Sequence, residues 1–114
     1  LESEMDVIDR ESAMKRYRIR LTREAESDLV DIYRFVRRRS ASNTIARRYT
    51  GRIRGFLEGL ETFGERGTIH EQIRPGLRVI GFERRISVAF VVEGEDVVVL
   101  RILHAGRQFR SDEP

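Results

Sequence analysis

Residues 96–109 read DVVVLRILHAGRQF, and this stretch decides how the rest of the chain is arranged. Residues 97–103 are apolar except for Arg101, and a run of about seven residues is too short for a buried helix. Its β-branched side chains pack well on a pleated surface, so we predict a central strand. An arginine inside such a strand is costly unless its guanidinium reaches water, an acidic partner or an anion. Arg101 is therefore the first candidate functional residue, and His104 is the second.

The composition predicts a single intracellular domain. The chain of 114 residues is long enough to bury one core. It has no cysteine, which excludes disulfides, thiolate metal sites and cysteine nucleophiles and favours a reducing cytoplasm. No apolar run approaches the roughly 20 residues of a membrane span, and the acidic start does not resemble a signal peptide. We therefore expect a cytoplasmic protein with no membrane contact.

The charge is distributed unevenly along the chain. The first 13 residues hold five acids and one base, which leaves 21 basic and 14 acidic residues from Met14 onward. We predict an acidic leader over residues 1–13, one domain over 14–110 and a flexible tail over 111–114. Every basic residue but Lys15 is an arginine, a side chain that suits bidentate contacts with phosphate or carboxylate. Nucleic acid or an acidic protein is the expected partner, although a GC-rich genome would also encode arginine often.

The periodicity of the first half predicts a strand followed by two helices. Residues 17–21 (YRIRL) alternate apolar and basic, which is typical of a half-buried strand. Thr22 is then a plausible N-cap for a helix over residues 23–38, with acids in its first turn and three arginines in its last. After a polar break at 40–43, apolar residues from Ile45 to Phe63 follow the 3.6-residue period of a second helix. The short connection predicts an antiparallel helical hairpin.

Three glycines lie four residues apart in the second helix: Gly51, Gly55 and Gly59. Each costs about 1 kcal/mol relative to alanine in a helix interior. We expect them to allow close approach of another backbone, either the first helix or a partner chain.

The second half predicts strands. Residues 64–76 read as a loop with a short extended piece at 69–73, and strands follow at 77–83, 86–93 and 97–103, joined by tight turns at 84–85 and 94–95. In the middle strand Ile86, Val88, Phe90 and Val92 share the face that should pack on the helices. The smaller residues opposite would leave room above the sheet. The order of elements predicts an α+β fold, a two-layer sandwich.

Signatures of enzymes are mostly missing. The sequence has no phosphate loop, nucleophile elbow or HExxH motif, and two histidines are too few to predict zinc, so we expect neither metal nor cofactor. What remains is a basic set on and beside the sheet: Arg78, Arg84, Arg85, Arg101, His104, Arg107 and Arg110. Such a set could bind phosphates, or cleave RNA with His104 moving a proton. If the last strand is regular, however, Arg101 lies with Val99 and His104 with Ile102 on opposite faces, unless the chain bends near Gly106.

The chain resembles the RelE/ParE superfamily of toxins from type II toxin–antitoxin systems, and is nearer the ParE (plasmid stabilisation) branch. The resemblance is carried by YRIRLTREAESDLVDIYRFV at residues 17–36 and by GLRVIGFERRISVAFVVEGEDVVVLRILHAGRQF at 76–109. The closing ILHAGRQF is similar to the ending of ParE-like sequences. The resemblance covers nearly all of residues 14–110.

This resemblance implies a toxin held inactive by a ParD-like antitoxin in a heteromeric complex, with the first strand beside the last. ParE-like members inhibit DNA gyrase without cleaving RNA, whereas RelE-like members are ribosome-dependent mRNA endonucleases. By position, Arg78 and Arg101 resemble the sheet arginines of the family, and His104 the residue at the strand end. The chain departs from the nuclease pattern, since it has one lysine and carries Phe109 where a hydroxyl would be wanted. The candidates for contact with target or antitoxin are Tyr33, Gly51, Gly55, Gly59, Arg78, Arg84, Arg85, Arg101 and Arg107. A plain nucleic-acid-binding module is a third possibility.

Overall fold

The computed structural model describes residues 16–62 and 66–104, and within them the chain forms five strands and two long helices. The helices are α1 (Arg23–Ser40) and α2 (Asn43–Glu58), which a short 3-10 helix (Gly59–Glu61) extends. The strands are β1 (Arg18–Leu21), β2 (Thr68–Ile69), β3 (Arg78–Phe82), β4 (Ile86–Glu93) and β5 (Asp96–His104).

The strands form one sheet in the order β1-β5-β4-β3-β2. β1 is parallel to β5, and all other neighbours are antiparallel. This confirms the predicted fold class, the order of strand, helical hairpin and antiparallel meander, and the first strand lying beside the last. β1 pairs with β5 only as far as Val99. Beyond that residue the edge of β5 is left open on the side from which α1 approaches.

Both helices begin at the hydroxyl caps that the sequence offers. The Thr22 side chain accepts a hydrogen bond from the Ala25 N–H at 3.0 Å, and the Ser42 side chain accepts one from the Ile45 N–H at 3.1 Å. α1 is two residues longer than predicted and ends at Ser40, followed by the C-cap Ala41, whose backbone is left-handed. α2 ends at Glu58, before the predicted limit, and Phe63 lies outside the described residues.

The helices cover one face of the sheet, as the alternation in β4 predicts. Ile53, Leu57 and Leu60 are buried in one cluster with Val88 and Phe90. The exposed fraction of each of these side chains is 2% or less. Burial of apolar area on this scale is the main driving force for packing the helical layer on the sheet.

The opposite face of the sheet is not open in the way the small residues of β4 suggested. Ala89 and Val91 are buried there, in a cluster with Leu77 and with the partly buried Ile73. Both covering residues belong to the segment between β2 and β3, which turns back over the sheet instead of continuing the predicted extended piece. The chain therefore fills part of this space with its own loop.

Two other predictions concern the ends of the chain and membranes. The predicted leader (1–13) and tail (111–114) lie outside the described residues, so the domain limits stay predictions. Neither helix in the described part of the chain is long and apolar enough to cross a bilayer.

Candidate partner-binding surface

The arginine of the central strand is neutralised by a helix residue. Asp28 of α1 is 9% exposed, and its carboxylate accepts hydrogen bonds from Arg101 Nε at 2.8 Å and Nη2 at 3.0 Å. The hydrogen bond to Asp28 is also the main reason that the pKa of Arg101 is raised. Bidentate pairing of this kind satisfies a guanidinium that is only partly exposed to water. Arg101 therefore reaches an acidic partner within its own chain, which gives it a structural role.

Asp28 also forms a hydrogen bond with the backbone at the open edge of β5. The same carboxylate accepts a hydrogen bond from the backbone N–H of Ile102 at 2.8 Å, and the Thr22 hydroxyl donates to the Leu100 carbonyl at 2.8 Å. These two side chains satisfy backbone groups that no strand pairs, which buried backbone requires.

A bulge interrupts β5 at Leu100. In the pairing with β4, Ala89 lies opposite Arg101 and Phe90 lies opposite Val99, so Leu100 has no partner. One extra residue of this kind resets the alternation of side chains between the two faces.

The bulge changes which side chains share a face. Val99 and Ile102 are both buried in the core under the helices, although residues three apart in a regular strand would lie on opposite faces. The prediction that Arg101 lies with Val99 was therefore wrong. Arg101 and His104 nevertheless lie on opposite faces, because Arg101 pairs with Ala89 and His104 pairs with Ile86, which faces the helices.

His104 is packed between aromatic side chains of both helices. Its ring meets Phe35 of α1 edge-on with centroids 5.0 Å apart, and Tyr49 of α2 with centroids 6.0 Å apart. Burial, and then the charge of Arg85, lower the pKa of His104 below its usual value. The imidazole is therefore neutral at pH 7 and serves as an aromatic contact between the sheet and the helices.

The three residues of the possible nuclease site do not come together. Arg78 pairs with Phe90 in the register of β3 and β4, whereas His104 pairs with Ile86, four residues away along β4. At about 3.4 Å per residue the two positions are roughly 13 Å apart along the sheet. Arg101 lies on the opposite face and is held by Asp28.

The turn between β3 and β4 is strained and strongly basic. Glu83 and Arg84 have φ angles of 51° and 64°, a left-handed conformation that costs roughly 1 kcal/mol or more per non-glycine residue. Arg52 of α2 anchors the turn with two hydrogen bonds to the Glu83 carboxylate, at 2.9 and 3.0 Å. The sequence predicted the turn and the exposed Arg84 and Arg85, but not the contact with Arg52.

Tyr49 lies under this corner with an unpaired hydroxyl. Its oxygen is buried and has no hydrogen-bond partner among the described residues. Burial, and then the negative charge of Glu83, raise the pKa of Tyr49. The Arg52 guanidinium lies 5.1 Å from the centre of the Tyr49 ring, a cation–π distance.

The glycine series lies on the outer side of α2. Gly51, Gly55 and Gly59 are exposed, and a Cβ built on any of them would have no atom within 4 Å. Close approach of the first helix is therefore wrong as an explanation. The helical phase gives the reason, since Gly55 lies two residues from the buried Ile53 and Leu57 and hence on the opposite side of the helix. A partner chain is the alternative that remains.

An open groove of about 470 Å³ runs between α1 and the end of β5. Its apolar lining comes from Ile32, Phe35 and Ile102, and its charged rim includes Arg34 and Arg38. Tyr33 does not line this groove. Its hydroxyl donates to Asn43 Oδ1 at 3.4 Å and so links the two helices. Arg107 and Arg110 lie outside the described residues.

The described ranges 16–62 and 66–104 contain no group of three or more histidine, cysteine or acidic side chains placed to hold a metal ion. The groups that the described surface offers to a partner are therefore arginines, aromatic side chains and an exposed helix backbone.

Comparison with known proteins defines the class of protein first. In structure the chain is similar to a chain of a chromosomal ParDE toxin–antitoxin system from P. aeruginosa, with a TM-score of 0.68 and 25% sequence identity. The likeness covers 80% of this chain and 98% of that one. No curated protein sequence gives a significant match. The fold is thus that of a type II toxin–antitoxin protein.

The family follows from the sequence. Residues 19–109 match the family described as ParE toxin of type II toxin-antitoxin system, parDE. Because the match covers well over half of the chain, the protein belongs to the ParE toxin family.

Proposed function

We propose that this ParE-family toxin acts in the cytoplasm by binding and inhibiting DNA gyrase, and that a ParD-like antitoxin neutralises it. The observation that carries the proposal is the environment of Arg101 and His104. In a nuclease both residues would have to act on RNA. Here Arg101 is hydrogen-bonded to Asp28, and His104 is packed against Phe35 and Tyr49.

The geometry supports binding over cleavage in chemical terms. A general acid or base must lie within hydrogen-bond reach of the proton it moves, with a pKa near the working pH. The His104 ring is packed edge-on against aromatic rings, and its pKa is lowered. Two of the five Arg101 N–H donors, those on Nε and Nη2, bind the Asp28 carboxylate and hold the guanidinium against α1.

The antitoxin has two surfaces of this chain to engage. Gly51 and Gly55 cost about 1 kcal/mol each in the interior of α2, and nothing in the described chain packs on them, or on Gly59 just beyond the helix, to offset that cost. A helix of the antitoxin laid along them is the occupant that would explain their presence. Arg84 and Arg85 of the strained turn suit carboxylates of the antitoxin, and Arg78 lies at the start of the same hairpin.

The experiment is a supercoiling assay with gyrase, relaxed plasmid and purified full-length toxin, run with and without the antitoxin encoded by the neighbouring reading frame. We expect loss of supercoiling that the antitoxin reverses. Ribosome-dependent cleavage of an mRNA is measured with the same toxin. Normal supercoiling at a large excess of toxin, together with a cut mRNA, would replace this function by the RelE-like one.

A matched pair of variants tests the turn. Arg84→Gln/Arg85→Gln and the control Arg23→Gln/Arg74→Gln remove the same charge from exposed arginines. We expect the first pair to weaken antitoxin binding at least about tenfold and the control to change it little. Equal effects would mean that the turn is not part of the interface.

A further inference from the structure

The helical layer carries an unusual concentration of positive charge. Residues 34–57 contain eight arginines and no aspartate or glutamate. Two of the eight form ion pairs with carboxylates outside this segment: Arg52 pairs with Glu83, and Arg54 pairs with Glu26. The other six are exposed on either side of the connection of the two helices, and none of them has an ion pair or hydrogen bond to an acidic side chain in the described part of the chain. Arg38 lines the groove beside β5 and Arg39 lies over the Phe35 ring. The other four, the hairpin-tip arginines, are Arg34, Arg37, Arg47 and Arg48.

The connection brings them into one patch. α1 ends at Ser40 and α2 begins at Asn43, so all four Cα atoms lie within roughly 10 Å of the turn at 1.5 Å per residue. Adjacent helices pack about 8–10 Å apart. Arg34 and Arg37 are three residues apart and share one side of α1. These four arginines therefore belong to one end of the helical layer, within roughly 10 Å of the connection along each helix.

The N-terminus of α2 adds to this patch. Its first turn has no acidic residue and exposes the polar side chains of Asn43 and Thr44. Free backbone N–H groups at this end carry partial positive charge. Arg37 near the end of α1 stabilises that helix through its dipole, but Arg47 and Arg48 in the second turn of α2 gain no such benefit. Helix stability therefore does not account for the whole patch.

We propose that the hairpin-tip surface binds the phosphate backbone of duplex DNA without regard to sequence. Arginines, small polar side chains and helix N-termini are the groups that contact phosphates in protein–DNA complexes. A duplex carries one negative charge per about 1.7 Å of axis, which matches so dense a cluster of arginines.

An acidic protein is the less suitable partner. The core of a protein interface is apolar and aromatic. Around the connection of the two helices the described residues expose one large apolar side chain, Ile45. DNA-binding surfaces are instead polar and strongly positive. This inference goes beyond the proposed inhibition of gyrase. Binding of the toxin to DNA is measured without gyrase, so DNA binding and gyrase inhibition can each be absent while the other is observed.

The test is fluorescence anisotropy of a labelled duplex of about 30 base pairs titrated with the full-length toxin at several salt concentrations. The variant Arg37→Gln/Arg48→Gln is compared with Arg23→Gln/Arg74→Gln, which loses the same charge from exposed arginines outside the tip. We expect the tip variant to reduce the slope of log K against log salt by about two and to weaken binding at least about tenfold at low salt. The control should change binding less than about threefold, because its arginines lie outside the patch.

Four results would overturn the proposal. The wild-type chain could fail to bind the duplex, or both variants could weaken binding equally, which would reduce the effect to net charge. Tighter binding of a polyglutamate peptide than of DNA, lost in the tip variant, would assign the surface to an acidic protein. A preference of tenfold or more for duplex RNA over DNA would assign it to RNA. Circular dichroism of both variants confirms that they are folded.

Discussion

Arg101 and the hairpin-tip arginines place the same side chain in opposite environments. Arg101 lies in the central strand, where Asp28 meets its guanidinium with two hydrogen bonds. The tip arginines lie on the outside of the helical layer and have no carboxylate partner within residues 16–62 and 66–104. A desolvated charge must be paired before the strand can be buried, whereas a solvated charge can stay unpaired at small cost. The paired arginine therefore serves the fold, and the unpaired ones are available to a partner.

Breaking the pair should have the largest effect. Asp28→Ala removes the acceptor of three hydrogen bonds and leaves Arg101 and the Ile102 N–H without partners. Because 40% of the Arg101 side chain is exposed, we expect a loss near the lower end for buried pairs, about 3 kcal/mol of unfolding free energy. Urea denaturation followed by circular dichroism measures it.

Asp31→Ala is the matched control, since Asp31 is an exposed acid about one turn further along α1. We expect it to change stability by less than about 0.5 kcal/mol. If the two variants were equally stable, Asp28 would not hold Arg101 in solution, and Arg101 would return as a candidate for binding phosphate.

The fold could be predicted from the sequence because its elements are periodic. Alternation at residues 17–21 and 86–92 and the 3.6-residue period of the helices depend on local side-chain patterns, and the structure follows them. The bulge at Leu100 could not be predicted in this way, since it depends on pairing between strands. One missed contact did leave a signal: Asp28 is an acid on the apolar side of α1, beside Leu29, and Arg101 is a base in an apolar strand.

The candidate site was less predictable than the fold. Arg78, Arg101 and His104 were grouped only as an alternative nuclease site, and alternation already predicted that Arg101 and His104 lie on opposite faces. The glycine series was predicted to allow close approach of either the first helix or a partner chain, and its phase, away from Ile53 and Leu57, excludes the first helix. Contacts between elements depend on which faces meet, and alternation and helical period fix the faces of one element at a time.

Replacing an unpaired arginine in the strained turn should stabilise the fold. Arg84 has a φ of 64°, which glycine adopts without steric cost. We expect Arg84→Gly to raise the unfolding free energy by about 0.5 kcal/mol, because relief of strain slightly exceeds the added entropy of the unfolded chain. Arg85→Gly, at the neighbouring position without a positive φ, should instead lower it by a similar amount. Loss of stability in both variants would show that the Arg84 side chain makes a stabilising contact that outweighs the backbone strain.

Arg85 also sets a pH dependence through His104. Since the folded pKa of His104 is lowered by burial and then by Arg85, the unfolded chain takes up the proton first as pH falls. The stability contributed by neutral His104 is complete above its unfolded pKa of about 6.5 and is lost as the pH falls from there through the lower folded pKa. We expect unfolding free energies measured from pH 7.5 to 5.5 to decrease in the wild type, and less so in Arg85→Gln. An equal or steeper decrease in Arg85→Gln would mean that Arg85 does not lower the pKa of His104.

The smallest expected effect is that of salt on thermal stability, which should differ between Arg101 and the hairpin-tip arginines. Raising the salt from 0.1 to 1 M shortens the screening length from about 10 Å to about 3 Å, which relieves repulsion among the hairpin-tip arginines and hardly affects the shielded Asp28–Arg101 pair. The Tm of the wild type should therefore rise by about 2 °C more than that of Arg37→Gln/Arg48→Gln, which corresponds to a few tenths of a kcal/mol. Arg23→Gln/Arg74→Gln should follow the wild type, because its two arginines lie outside the patch. Parallel curves for all three proteins would mean that the tip arginines do not concentrate charge, and the physical basis for binding DNA there would be lost.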